Sequence, residues 1–126
     1  MQKDFKLSQP IEHYLRTVNA GDAEAFFAGF TDDAVVRDLN REMRGLDAIE
    51  KWARKDIFAV HARFDVTSVS EKGGRTIVTV EIDGTFDKKG LPDPLLMDHA
   101  FTVAGGKITE LVVSFTPDES AKHGAR

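Results

Sequence analysis

The chain predicts an α+β domain in which helices come first and a largely antiparallel sheet follows. Up to about residue 58, apolar residues recur at helical spacing, and from residue 63 onward apolar and polar residues alternate as they do along strands. Glycine pairs at 73–74 and 105–106 then divide the second half into hairpins. Because helices and strands do not alternate, this order favours α+β over a parallel α/β sheet.

Three helices are predicted in the first half of the chain. Ser8 can cap the first helix, and Gly21 suits the left-handed position that follows its last turn. Asp22 can cap a short second helix, and a third helix runs from about residue 46 to residue 58. The apolar positions expected to face inward are Ile11, Tyr14, Leu15, Val18, Phe26, Phe27, Phe30, Ile49, Trp52, Ala53 and Ile57.

Five strands are predicted, one before the third helix and four after it. The first covers residues 35–39 and is followed by a polar connection at 40–45. The others cover about 63–70, 76–86, 95–103 and 107–115, with a loop at 87–94. A curved sheet of this kind, covered by three helices, is expected to enclose a cone-shaped pocket for a small ligand.

Composition narrows the classes of function. The 126 residues predict one domain, residues 1–126, with a flexible polar tail from about residue 117. A net charge of −4 with dispersed Lys and Arg argues against nucleic acid. With no cysteine and no metal-type spacing of the four histidines, we expect no metal site. No signal or membrane-spanning segment is evident, so we expect a cytoplasmic protein without a membrane partner.

Asp98 interrupts an apolar run from Leu95 to Phe101. A buried carboxylate is unfavourable unless it is paired or protonated. Alternation puts residues 96, 98, 100 and 102 on one face and residues 97, 99, 101 and 103 on the other, and both faces have apolar members. We therefore expect Asp98 to be buried and functional, and His99, which points the other way, to be packed or at the surface. The alternative is an edge strand on which Asp98 meets water.

Two further side chains could meet Asp98 in the pocket. Tyr14, the single tyrosine, lies on the apolar stripe of the first helix, and a buried phenol generally needs a partner. Asp38 shares a strand face with Val36 and Asn40, so the Asn40 amide could bond to its carboxylate. The alternatives are a core aromatic whose hydroxyl reaches the surface and a solvated acid at a strand end.

Several motifs together resemble the nuclear transport factor 2-like superfamily, also called the SnoaL-like fold. They are Asn19-Ala20-Gly21-Asp22, Phe30-Thr31-Asp32-Asp33-Ala34-Val35, Gly45-Leu46-Asp47-Ala48-Ile49, Asp98-His99-Ala100-Phe101 and Gly106-Lys107-Ile108. The resemblance covers about residues 11–115. It implies a cone-shaped fold with three helices on a curved, mixed but mainly antiparallel sheet, and a homodimer formed through the sheet. This scaffold hosts isomerases, cyclases, dehydratases, hydrolases and non-catalytic domains.

Within the superfamily, the functional pattern most similar to this chain is that of bacterial ketosteroid isomerases. Tyr14, Asp38 and the Asp98-His99 pair occupy matching places. The resemblance implies that Asp38 is a general base, and that Tyr14 and a protonated Asp98 donate hydrogen bonds to the oxyanion. It also implies a substrate-binding wall, for which the candidates are Val36, Asn40, Trp52 and Phe115.

The chain departs from the isomerase pattern in ways that leave the substrate open. It lacks a second tyrosine, for which Ala53 stands near one expected place, and Leu39 replaces the usual proline after the base. The predicted function is proton transfer of the ketosteroid isomerase or polyketide cyclase kind, without a cofactor, on a small apolar carbonyl compound. The alternative is a non-catalytic module that binds a small ligand or dimerises.

Overall fold

Three α-helices and six strands make up residues 6–117, the part of the chain that the computed structural model describes. The tail expected to be flexible lies, beyond Pro117, outside the described residues. The helices are α1 (Gln9–Ala20), α2 (Ala23–Ala28) and α3 (Leu46–Ala53), and a π-helical turn (Arg54–Phe58) extends α3. The strands are β1 (Phe30–Asp38), β2 (Arg41–Arg44), β3 (Arg63–Lys72), β4 (Arg75–Asp83), β5 (Leu96–Ala104) and β6 (Lys107–Phe115).

Gly21 and Asp22 cap α1 and α2 as the sequence predicts, whereas Ser8 occupies the N-cap position of α1 without a side-chain capping bond. Gly21 adopts a left-handed conformation (φ 69°), and its N–H donates to the Val18 carbonyl at 3.0 Å. The Asp22 carboxylate accepts from the Ala25 N–H at the start of α2. The Asn19 side chain donates to the Phe64 carbonyl and accepts from the Phe64 N–H, at 2.9 and 2.8 Å. These two bonds fix the end of α1 against β3.

The sheet has the order β2-β1-β6-β5-β4-β3, and β1 with β6 is its one parallel pair among the described residues. The predicted mixed, mainly antiparallel sheet is therefore confirmed. Several predicted bounds differ. β1 starts at Phe30 instead of 35, so Phe30 lies in a strand and not on the second helix; the predicted connection at 40–45 contains β2; and β4 ends at Asp83 instead of 86. β2 has the composition of a loop because three of its four residues, Arg41, Glu42 and Arg44, are charged. Such composition is common in short strands at the edge of a sheet.

The helices cover one face of the sheet, called here the inner face. Alternate residues of each central strand point into the core on this face, and their neighbours point to the outer face. Tyr14 lies within this core, where its ring packs against Phe26 and Phe101 at centroid distances of 5.0 and 5.1 Å. No helix within residues 6–117 has the length and apolar character needed to cross a membrane.

Candidate active site

A cavity of about 420 Å³ lies between the inner face of the sheet, α1, α3 and the loop that precedes β5. Its volume falls within the range of small-molecule sites. The wall is mostly apolar, and its polar members are few: Tyr14, Asp38, Lys55, Asp56, His99 and the indole nitrogen of Trp52. The apolar lining residues are Leu39, Ile57, Val60, Ala62, Phe64, Ile82, Phe86, Leu91, Leu95, Met97, Val113 and Phe115.

Asp38 stands at the carboxyl end of β1, and its side chain is 14% exposed. The Trp52 indole N–H donates to Oδ2 at 2.9 Å, and the Arg41 guanidinium donates to the same oxygen at 2.6 Å. Within residues 6–117, no hydrogen bond reaches Oδ1. The carboxylate is thus held through one oxygen, and the other has no hydrogen-bond partner among the described residues.

Arg41 links Asp38 to the π-helical turn. The same guanidinium nitrogen that binds Asp38 also pairs with the Asp56 carboxylate. Within the turn, the Ala59 N–H donates to the Arg54 carbonyl at 2.8 Å, which is the i to i+5 pattern of a π-helix. Such turns are often found at functional sites, and here one supplies the second carboxylate that fixes Arg41.

Tyr14 contributes a phenol at the cavity wall. The residue is 1% exposed, and its hydroxyl has no hydrogen-bond partner within residues 6–117. Burial, with a smaller contribution from the charge of Asp38, raises the pKa of Tyr14 well above its ordinary value. The phenol is therefore a neutral donor.

His99 is the second neutral polar group of the wall. It is 2% exposed and packs among aromatic rings, with Phe64 at 5.2 Å and Tyr14 at 5.9 Å between centroids. Its Nδ1 has no hydrogen-bond partner within the described part of the chain. Burial lowers the pKa of His99 to about 4, so the imidazole is neutral near pH 7 and carries one N–H donor.

Strand register places Asp38 and His99 on one row of the inner face. Both are paired with Val113 of β6, Asp38 from β1 on one side and His99 from β5 on the other. Strands are about 4.8 Å apart, so the two backbones are separated by roughly 10 Å. A small ligand over Val113 could therefore touch both side chains.

Asp98 lies on the outer face and does not line the cavity. Its Oδ1 accepts hydrogen bonds from the hydroxyls of Thr79 and Thr116, both at 2.7 Å, and the residue is only half-buried. This geometry corrects the prediction that Asp98 is buried and aimed at Tyr14. The reason is the face of β5, because its inner positions are 97, 99 and 101.

A model of the SnoaL-like domain matches residues 11–111. The chain belongs to the SnoaL-like domain family. No curated protein matches it. The match spans α1 to the middle of β6 and includes every element that carries a polar residue of the cavity wall.

Solved structures with this fold include enzymes of several kinds. A candidate polyketide cyclase from Sinorhizobium meliloti is 23% identical with a TM-score of 0.76, over 87% of this chain and 100% of that one. The Δ5-3-ketosteroid isomerase from Mycobacterium sp. is 19% identical with a TM-score of 0.66, over 85% and 90%. The epoxide hydrolase/cyclase-like enzyme SalBIII, of pyran ring formation in salinomycin, is 19% identical with a TM-score of 0.69, over 86% and 89%. At these identities the likeness establishes the fold alone.

Of the predicted wall residues of this SnoaL-like domain, Trp52 and Phe115 line the cavity, whereas Val36 and Asn40 do not. Val36 is on the same face as Asp38 but is fully buried in the core beneath the cavity. Asn40 is exposed in the turn after β1, where Leu39 has a positive φ of 60°. Because that turn interrupts strand alternation, Asn40 does not share the face of Asp38.

Sequence reasoning missed His99 and the loop residues of the wall. One signal could have pointed to His99, because Met97, Phe101 and Val103 give its face more apolar volume than the face of Asp98 has. No comparable signal exists for Phe86 and Leu91, since periodicity does not predict where a loop packs.

Proposed function

We propose that this SnoaL-like domain is a proton-transfer enzyme for a small, mostly apolar carbonyl compound. The observation that carries the proposal is a carboxylate held through one oxygen at the wall of an apolar cavity whose lining residues also include Tyr14 and His99, each with a buried polar atom that has no partner within residues 6–117. Asp38 is the proposed base, and the Tyr14 hydroxyl and the His99 N–H are the proposed donors to the carbonyl oxygen. No step in this chemistry needs a cofactor.

The proposed reaction begins at the carbon next to the carbonyl. Asp38 Oδ1 takes the proton, the C–H electron pair enters the enolate, and the negative charge collects on the oxygen between Tyr14 and His99. In an isomerisation the protonated Asp38 returns the proton to a different carbon. In a cyclisation the enolate carbon forms a bond to a second carbonyl carbon, whose oxygen takes up the proton.

His99 takes the place that the resemblance to ketosteroid isomerases gave to Asp98. A neutral imidazole can donate one hydrogen bond without first gaining a proton, whereas a carboxyl can donate only when it is protonated. The apolar wall supports this role, because charge–dipole interactions are stronger where water is excluded. The proposal therefore keeps two predicted residues, Asp38 and Tyr14, and replaces the third.

A β,γ-unsaturated cyclic ketone in D₂O tests the proposal. Ultraviolet absorbance follows conjugation of the double bond, and proton NMR follows deuterium entering the α-carbon. We expect Asp38→Asn to lower both rates by about 100-fold or more, in the range that general bases contribute. Asp98→Asn is the matched control and should keep the rate within about twofold, because Asp98 lies on the outer face. Wild-type rates in Asp38→Asn would contradict the assigned base.

A non-catalytic ligand-binding module is the second candidate. The nearly continuous apolar wall favours it, since such a wall binds apolar compounds without any chemistry. This candidate predicts that calorimetry detects binding of the ketone, while the rates of conjugation and of deuterium exchange stay at the rates in buffer alone. The homodimer formed through the sheet and the cytoplasmic location stay predictions, and light scattering on the purified protein tests the first.

A further inference from the structure

Two large apolar side chains are exposed within residues 6–117, and both line the cavity. Leu39 is 51% exposed and Phe115 is 44% exposed. The Leu39 N–H donates to the Val113 carbonyl at 3.0 Å, which brings the end of β1 beside the end of β6 that carries Phe115. Because both side chains touch the cavity as well as solvent, they form its apolar rim.

Leu39 occupies this rim in an unfavourable backbone conformation. Its φ is 60°, in the left-handed region, which the Cβ of most residues disfavours and which Gly or Asn would adopt more easily. The position is the first of the two-residue turn between Asp38 and Arg41. Backbone strain of this kind is found at ligand-binding and switch sites, where the side chain has a use that offsets it.

We propose that Leu39, together with Phe115, contacts the part of an elongated apolar ligand that extends beyond the cavity, and that Leu39 sets the preference for ligand length. This inference rests on the proposed function for the carbonyl group and adds the ligand class, a carbonyl compound with an apolar chain. The carbonyl end lies near Asp38, Tyr14 and His99, and the chain crosses the rim toward solvent.

The surroundings of the rim favour a ligand chain over a protein partner. Charged residues accompany the rim, because Lys55 and Asp56 line the same cavity and Asp56 pairs with Arg41. A stable protein interface buries about 800 Å² on each partner, which two side chains do not supply. The two rim residues instead line the same cavity as the apolar side chains of Phe86 and Leu91.

Straight-chain methyl ketones of increasing length test the proposal by isothermal titration calorimetry. In the wild type, each added CH₂ should strengthen binding by about fourfold, including the groups that pass the rim. Leu39→Asn keeps a residue that tolerates the left-handed conformation but removes the apolar contact. We expect short ketones to bind this variant within about twofold of wild type. For long ketones, each further CH₂ should leave the affinity of this variant about the same, instead of raising it about fourfold as in the wild type.

His61 provides the matched control, since it is the other non-glycine residue with positive φ (52°) among residues 6–117 and does not line the cavity. His61→Asn should leave the whole ketone series unchanged, and neither variant should lower the urea midpoint. If Leu39→Asn weakens all lengths equally or none, the inference is wrong. It is also wrong if sedimentation shows that the variant dissociates a dimer, because the rim would then be a contact between two copies.

The ketone series tests this inference, and the exchange assay tests the proposed function independently of it. Loss of the length dependence in Leu39→Asn supports this inference even if the wild type catalyses no exchange. An Asp38-dependent exchange rate with an unchanged length dependence removes this inference and leaves the proposed function.

Discussion

The two faces of β5 carry adjacent titratable residues in opposite environments. On the outer face, both hydroxyls that reach Asp98, those of Thr79 and Thr116, donate to it at 2.7 Å. On the inner face, His99 is 2% exposed and its Nδ1 has no partner within residues 6–117. Buried polar atoms in folded proteins are nearly always satisfied by protein or by water, so an unsatisfied one on a residue of the cavity wall is a candidate partner for a bound water or ligand. Asp98 is by the same criterion a structural residue.

The largest expected difference between the two faces is in packing. Phe101→Ala removes an inner-face ring that is 1% exposed and contacts Tyr14, and should lower the free energy of unfolding by about 3–5 kcal/mol. Thr102→Ala, one residue further on the outer face, should change it by about 0.5 kcal/mol at most. Urea denaturation of both variants measures the contrast. Similar losses in the two variants would contradict the assignment of the faces.

The pH dependence of stability is the next contrast. Burial lowers the pKa of His99 from 6.5 to about 4, so between these values the unfolded chain binds a proton that the folded chain does not. The free energy of unfolding therefore decreases as the pH falls from 6.5 toward 4, and His99 contributes about 3 kcal/mol of this decrease. Urea denaturation at a series of pH values measures the loss.

His99→Leu isolates this contribution from that of the carboxylates. The variant keeps an apolar side chain at the wall but has no group that titrates in this range. We expect its unfolding free energy to fall less steeply than that of the wild type between pH 6.5 and 4. Parallel curves for the two proteins would show that His99 is protonated in the folded state or accessible to water.

The sequence was sufficient for the fold but not for the polar residues of the site. Capping at Gly21 and Asp22 and the alternation after residue 63 are local signals, and they predicted α1, α2 and the late strands. Tyr14 and Asp38 were placed at the cavity by a family resemblance that draws on most of the chain. Strand alternation correctly placed Asp98 and His99 on opposite faces of β5. It did not show which face the helices cover, because β5 has apolar residues on both faces and the covered face depends on tertiary packing.

Removal of the Asp98 carboxylate on the outer face is expected to change stability less than the changes to Phe101 and His99 do. Asp98→Ala leaves the Thr79 and Thr116 hydroxyls without their acceptor, and should lower the free energy of unfolding by about 1 kcal/mol because water can partly replace it. Asp98→Asn keeps a carbonyl oxygen as acceptor and should lose less. Urea denaturation measures both variants. A loss well above that of a single hydrogen bond would mean that Asp98 has a further role in packing.

The smallest change in stability is expected at Tyr14. Tyr14→Phe removes a hydroxyl that is buried without a partner among the described residues, so the free energy of unfolding should stay equal or rise by up to about 1 kcal/mol. The same variant should slow the proposed ketone exchange by about 100-fold, because a lost oxyanion donor costs that much in comparable sites. Urea denaturation and the deuterium assay give the two values. A hydroxyl that contributes nothing to stability but much to rate can only act on a ligand. If the variant is instead destabilised and the rate unchanged, Tyr14 is a core aromatic, and of the two proposed donors to the carbonyl oxygen only His99 remains.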